Sequence, residues 1–279
     1  MRIPPRHVQT IAVGLLGAAT LLTLAVLVFI IAFVLKKGLP VVTWTFLSSA
    51  PEDMGRAGGI FPMIVGSLLL PLLALALAQP QGVGSAVYLC EYTRETRLTR
   101  VIRFGTDCLA GIPSIIFGLF GLVFFVEILH MGWSLLAGGL TLAIMILPTI
   151  IRTSEEAIRA VPNAYREVSC SMGATRWETV RRVVLPNALP GIVTGVMLGL
   201  GRCISETAAV IFTAGTVASM PTSAFDSVRT MAVHFYILAR EGLSTENAYG
   251  TAAVLVLAVL LVNLTAYWSM HAFIRRRAR

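Results

Sequence analysis

Arg202 and Glu206 are the residues best placed to do chemistry, because they stand four apart inside an otherwise apolar run from about residue 188 to residue 213. A charge at bilayer depth costs roughly 2.5–3.5 kcal/mol on insertion scales, so it needs a partner or a task. On one continuous helix the two would share a face and could pair. Gly191, Gly195 and Gly199 precede them at four-residue intervals. At ~100° per residue these five positions fall within about 80° of arc. That stripe offers close approach to a second helix, followed by a polar patch. A guanidinium can hold an oxyanion through two parallel N–H bonds, which a lysine cannot, and Glu206 would neutralise it between turnovers. The alternative is a buried ion pair that only locks helices together.

The chain around them is built for lipid. Its 279 residues are 56% hydrophobic and 13% charged, with a mean hydropathy of +0.81, too few polar groups to cover a water-soluble globule or to keep a chain disordered. Uncharged or nearly uncharged stretches at 11–35, 59–78, 108–126, 131–151, about 188–213 and about 249–274 predict six spanning helices. Of the 22 basic residues, sixteen fall on one set of connecting segments and termini, five on the other, and Arg202 lies within the membrane. That asymmetry predicts both termini in the cytoplasm. The same arginines explain the basic pI through loops facing anionic lipid, so nucleic acid is not an expected partner. There is no Gly-x-x-x-x-Gly-Lys-Ser/Thr loop to bind ATP, and the four cysteines and four histidines are too scattered to write a metal site. A membrane enzyme would need a nucleophile, base or metal cluster that is not visible.

Two connecting segments carry detail. In the outer loop, residues 214–248, Val228, Met231, Ala232, Phe235 and Leu238 recur at helical spacing and predict an amphipathic helix. In the inner loop, residues 152–186, Pro162 can open a helix containing Glu167, and Gly173 stands where a helix end needs a left-handed residue. Thr175-Arg176-Trp177-Glu178 then has the form of a capping box, so a second short helix should start at Arg176 and stop at Leu185-Pro186. On it Trp177, Val180 and Val184 would line one face, with Arg176, Arg181 and Arg182 elsewhere. Such a helix-turn-helix suits a partner's groove. The plainer alternative is packing beneath the bundle against lipid headgroups.

The spacing Glu167-Val168-Ser169, Gly173, Val183, Leu185-Pro186 resembles the EAA loop of ABC importer permeases, with Val168 and Ser169 in place of two alanines and Val183 in place of isoleucine. A more specific likeness runs from about residue 59 onward. Gly201-Arg202 with Ser205-Glu206-Thr207, Ala86-Val87-Tyr88-Leu89, Gly111-Ile112-Pro113-Ser114 and Thr230-Met231-Ala232-Val233-His234 resemble the PstA-type permeases of phosphate-specific ABC importers, Ser205 standing where glycine is usual. The resemblance implies an all-α membrane protein of the MetI-like type with six transmembrane helices and a cytoplasmic coupling helix-turn-helix. One helix and a periplasmic loop (1–58) would precede a core permease domain (59–279). It implies that Arg202 and Glu206, with Thr207 beside them, serve translocation. Glu167, Gly173, Ala174, Thr175, Trp177, Glu178, Leu185 and Pro186 would serve ATPase coupling. The implied partners are a PstC-like sister permease, two PstB-like subunits that bind ATP and magnesium, and a periplasmic phosphate-binding protein. This chain itself would need no cofactor. The expected activity is non-catalytic passage of inorganic phosphate across the cell inner membrane into the cytoplasm. The alternatives are molybdate or sulfate as cargo, or a proton-coupled secondary transporter using Glu206, which would leave the inner loop unexplained.

Overall fold

The computed structural model describes residues 5–277. Arg2 and Arg279, counted above among the inner arginines, lie outside the described residues, as do the side chains of Arg6, Arg275, Arg276 and Arg277. The chain opens with α1 (Pro5–Gly38), a 3-10 turn, and the short α2 (Trp44–Ser48), capped by Thr43. A two-stranded antiparallel hairpin follows, β1 (Pro51–Glu52) with β2 (Ala57–Gly58). Next come α3 (Phe61–Val87), continuing as a π turn over Tyr88–Tyr92, α4 (Arg97–Ala110), and α5 (Ser114–Gly121), continuing as a π segment over Leu122–Ile128. Then follow α6 (Leu135–Arg159), α7 (Asn163–Ser171), α8 (Arg176–Thr179) with a π turn over Val180–Val184, and α9 (Leu185–Ser205). The last elements are α10 (Ala208–Thr213), α11 (Met231–Arg240) and α12 (Thr245–Arg277).

Among the described residues five helical stretches are long and apolar enough to cross a bilayer, and a sixth is reached if α4 and α5, bent by 99°, count as one span. The expected third span, 108–126, is therefore shifted. Cys108 belongs to α4, an amphipathic helix with Leu98, Val101 and Phe104 exposed, and the membrane-crossing part starts after Gly111-Ile112-Pro113. Pro113 lacks an N–H and forces Ile112 away from helical geometry, which breaks the run that hydropathy alone joins.

The centre of the molecule is the packing of α3 on α6, where Leu70, Leu142, Met145, Ile146 and Ile150 are fully buried. α9 packs against both α6 and α3, and the glycine stripe is what lets it approach α6. A methyl group built on Gly191 would meet Ala157, and one on Gly195 would overlap the Thr153 hydroxyl. Gly195→Leu should therefore push α9 off α6 and cost about 1–3 kcal/mol, read as a lowered melting temperature of the purified protein in detergent. An unchanged melting temperature would mean that the helices are not in contact there.

Two smaller clusters close the ends. Phe46, Ile60, Met63 and Met231 pack at one end. At the other, Val180, Val184, Ala188 and Ile192 pack with Ala86, Val87, Ile158 and Val161 beneath the α7–α8 elbow. α1 leans on α12 through an edge-on contact of Phe33 with Tyr249 at 6.0 Å, with the Lys37 ammonium 5.1 Å from the centre of the Phe33 ring. The amphipathic helix expected in the 214–248 loop is α11, which buries Met231, Ala232, Val233, His234 and Leu238. Phe235 stays 38% exposed.

Candidate functional site

The expected Arg202–Glu206 pair does not form. α9 ends at Ser205, whose hydroxyl donates back to the carbonyls of Gly201 and Arg202 at 3.0 and 3.2 Å, and Glu206 turns to extended geometry (ψ 132°). Its carboxylate then accepts from the backbone N–H groups of Thr207 and Ala209, both at 3.2 Å, capping α10. The four-residue spacing therefore spans a break rather than one face. A side chain that can satisfy the free N–H groups of a helix start competes with continuation of the preceding helix. Arg202 stays half-buried three residues before the break and makes no ion pair among the described residues.

Beside the break lies a cavity of about 910 Å³. It is lined by Thr207, Ala208, Ile211 and Phe212 from the break and α10, and by Pro51 and Met54 from the hairpin. The far loops and α11 contribute Arg229, Arg240 and Glu241. Of the three expected translocation residues only Thr207 lines it. In the sequence Arg229 and Arg240 stand only as outer-loop charges. Their signal was faint: basic residues flanking the amphipathic helix.

Arg229 is held in place. Its Nε donates to the Thr216 carbonyl at 2.6 Å and its Nη1 lies 3.3 Å from Nδ1 of His234. A guanidinium only donates, so Nδ1 of His234 accepts. Burial, with the Arg229 charge second, pushes His234 down to about 4, so it is neutral at pH 7. The unfolded chain would take up a proton near 6.5 and the folded one only near 4, so stability falls as pH drops through that interval. The loss reaches about 3 kcal/mol at its foot. Thermal unfolding of the protein between pH 7.5 and 4.5 should show this drop, and His234→Gln should flatten it. A wild-type profile flat over this range would exclude a buried neutral His234.

At the opposite end the inner loop folds largely as expected. Pro162 precedes α7, Gly173 takes φ +84°, and the Thr175–Glu178 capping box is complete: Glu178 N–H donates to the Thr175 hydroxyl at 3.3 Å and Thr175 N–H to the Glu178 carboxylate at 2.9 Å. Ser169, in a position where alanine was the familiar residue, earns a contact: its hydroxyl lies 2.9 Å from that of Thr179, tying α7 to the second helix. Two expectations change. Leu185-Pro186 does not stop the helix, because the π turn over Val180–Val184 widens the backbone just ahead of Pro186 and the helix runs on into α9. The wider turn also slips the phase: Val180 and Val184 are buried under the bundle, whereas Trp177 is 56% exposed. A groove of about 790 Å³ opens between the helices, lined by Tyr165, Val168, Met172, Gly173, Ala174 and Glu178 among others. Glu167 faces outward on α7, and Leu185 and Pro186 are half-buried at the root of α9.

The elbow is anchored by a contact the sequence did not reveal. Arg166 of α7 donates from Nε and Nη2 to Oε1 of Glu91, at 3.0 and 2.7 Å, and from Nη1 and Nη2 to the carbonyls of Val161 and Ile158. Glu91 sits in the π turn that ends α3, so this pair joins the elbow to the central helix. Among the described residues there is no group of His, Cys, Asp or Glu able to hold a metal.

A membrane bundle with a charged helix broken at Ser205–Glu206 and a helix-turn-helix standing off one end is built as a permease subunit. The chain belongs to the family described as binding-protein-dependent transport system inner membrane component, whose profile matches residues 80–279. It is 32% identical to the probable ABC transporter permease protein YqgI of Bacillus subtilis, over 92% of this chain and 93% of that one. It is 35% identical to the phosphate transport system permease protein PstA of Mycobacterium leprae, over 88% and 82%. Among solved structures it resembles the bacterial ABC transporter that imports the acidic polysaccharide alginate, with a TM-score of 0.65 at 15% identity over 96% of this chain and 99% of that one. It also resembles the inward-facing MetNI methionine ABC transporter, with a TM-score of 0.62 at 20% identity over 77% and 94%. These likenesses support the MetI-like fold.

Proposed function

We propose that the chain is the channel-forming, non-catalytic permease subunit of an ATP-driven importer that passes inorganic phosphate into the cytoplasm. The observation that carries the proposal is an arrangement. A cavity edged by two arginines reaches the helix break beside Arg202, and a folded elbow with an exposed apolar groove stands at the other end of the same bundle. The phosphate permeases among the relatives supply the cargo.

In this reading the elbow end is cytoplasmic, as the arginine asymmetry requires, both termini lie on that side, and the cavity opens to the periplasm. The groove between α7 and α8, with Tyr165, Val168 and Met172 exposed along it, receives the motion that ATP binding drives in a partner ATPase. ATP and magnesium stay on two such subunits, PstB-like. A PstC-like sister permease completes the channel, and a periplasmic phosphate-binding protein delivers the ion. Phosphate carries between one and two negative charges near neutral pH and is drawn to the half-buried guanidinium of Arg202, with Glu206 holding the helix break open beside it.

Reconstituting the chain with these partners in proteoliposomes tests the reading. Radiolabelled phosphate uptake should require the binding protein outside and ATP inside, and excess sulfate or molybdate should leave it unchanged. Uptake driven by a pH gradient without ATP would replace the reading with a proton-coupled transporter. Competition by sulfate or molybdate would replace the cargo.

A further inference from the structure

The wall of the cavity beside the helix break carries two guanidinium groups. Arg229 and Arg240 both line it, well away in sequence from Arg202, and Glu241 is the acidic residue on its wall. Arg229 is half-buried and makes no ion pair among the described residues. Its Nε and Nη1 are spent on Thr216 and His234, leaving Nη2 without a hydrogen bond among the described residues. Because His234 is neutral, it steadies the guanidinium without adding a charge of its own. Arg240 is steadied by the Tyr236 hydroxyl at 2.8 Å and lies 5.6 Å from the centre of the Tyr236 ring. Two guanidinium groups, each fixed by neutral protein contacts, therefore border one water-accessible space with polar donors to spare. Fixed donors bind an anion with little reorganisation, which favours a tetrahedral oxyanion over a bulky organic acid.

We propose that Arg229 and Arg240 form a receiving site for a free tetrahedral oxyanion, distinct from Arg202 and occupied before it. The inference rests on the phosphate reading for its cargo. Its geometry stands apart from that reading. An ion released at the outer mouth is captured among Arg229, Arg240 and the apolar wall of Phe212 and Phe235, then moves along the cavity to Thr207 and the break. Glu241 limits dwell time by keeping the site from binding too tightly.

Equilibrium binding of radiolabelled orthophosphate to the assembled transporter, purified without its binding protein, tests this. Arg229→Gln should weaken binding at least tenfold and Arg240→Gln severalfold, while Arg202→Gln blocks uptake and leaves this binding in place. Arg56→Gln, outside the cavity, should bind like wild type. Arg240 is exposed, so its variant reports on the site even if Arg229→Gln folds poorly, and melting temperatures identify that case. Unchanged binding in both Arg229→Gln and Arg240→Gln, or binding lost through Arg202→Gln alone, overturns the receiving site. If sulfate or molybdate binds in place of phosphate with the same dependence on Arg229, the receiving site stands and the phosphate reading falls. If the free-ion signal vanishes when the complex is moved into phosphatidylglycerol nanodiscs, the site belongs to lipid headgroups and the proposal is overturned.

Discussion

Arg202→Gln should abolish phosphate uptake while leaving the protein folded and assembled with its partners. Arg202 is half-buried beside the helix break and has no acidic partner among the described residues, so glutamine removes a charge without orphaning another. A hydrogen bond to a charged group contributes about 1.5–3 kcal/mol, and a bidentate guanidinium contact uses two of them. Losing about 3 kcal/mol corresponds to more than a hundredfold slower transfer. Arg202→Lys keeps a point charge without the planar fork and should retain a small fraction of uptake. Glu206 separates the ion's needs from those of the fold: Glu206→Gln keeps a side-chain oxygen able to cap α10, whereas Glu206→Ala removes the cap at about 0.5–2 kcal/mol. The measurement is ATP-dependent uptake set beside co-purification of the partner subunits. Wild-type uptake by the glutamine variant would remove Arg202 from the path.

Arg166→Leu should leave ATP hydrolysis by the partners running while import stops. The Arg166–Glu91 pair is mostly out of solvent, with side chains 20% and 12% exposed. Removing one member strands a carboxylate, at about 3 kcal/mol, the lower end of the range for breaking a buried pair. The loss falls on the joint between α7 and the end of α3, the helix packed across α6 at the centre of the bundle. Motion entering the elbow would then be dissipated in the joint. The double variant Arg166→Leu with Glu91→Leu buries no unpaired charge and should recover stability without recovering coupling. Gly173→Val acts on the same element: its φ of +84° excludes a β-branched residue although the space around it is open. The ratio of phosphate imported to ATP hydrolysed reads out both. An unaltered ratio in Arg166→Leu would mean that the joint transmits nothing.

Much of the fold was legible because lipid imposes simple rules on sequence. Apolar length predicted all the spans but the third, which is broken at Pro113, and the Pro162, Gly173 and Thr175–Glu178 signals predicted the elbow, since a proline, a left-handed glycine and a capping box act through neighbours a few residues away. The glycine stripe likewise predicted a close helix contact, now seen with Ala157 and Thr153 of α6. Where local rules compete, residue order alone does not decide the outcome. Hydropathy joined 188–213 into one helix, yet Ser205 and Glu206 each offer the backbone another partner, and the winner is set by what packs around them. Pro186 looked like a stop, but the π turn at Val180–Val184 carries the helix past it.

From residue order alone came the membrane bundle, the inner elbow, the glycine seam and Arg202 as a charge in need of a task, because each depends on composition or on contacts within one turn. The tertiary structure decided that Glu206 caps α10 instead of pairing with Arg202. It also decided that Arg166 grips Glu91, and that Arg229 and Arg240 share one cavity with Thr207. The last two join residues on separate elements, seventy-five positions apart in the case of Arg166 and Glu91, and only the packing of the helices determines which of many distant charges meet.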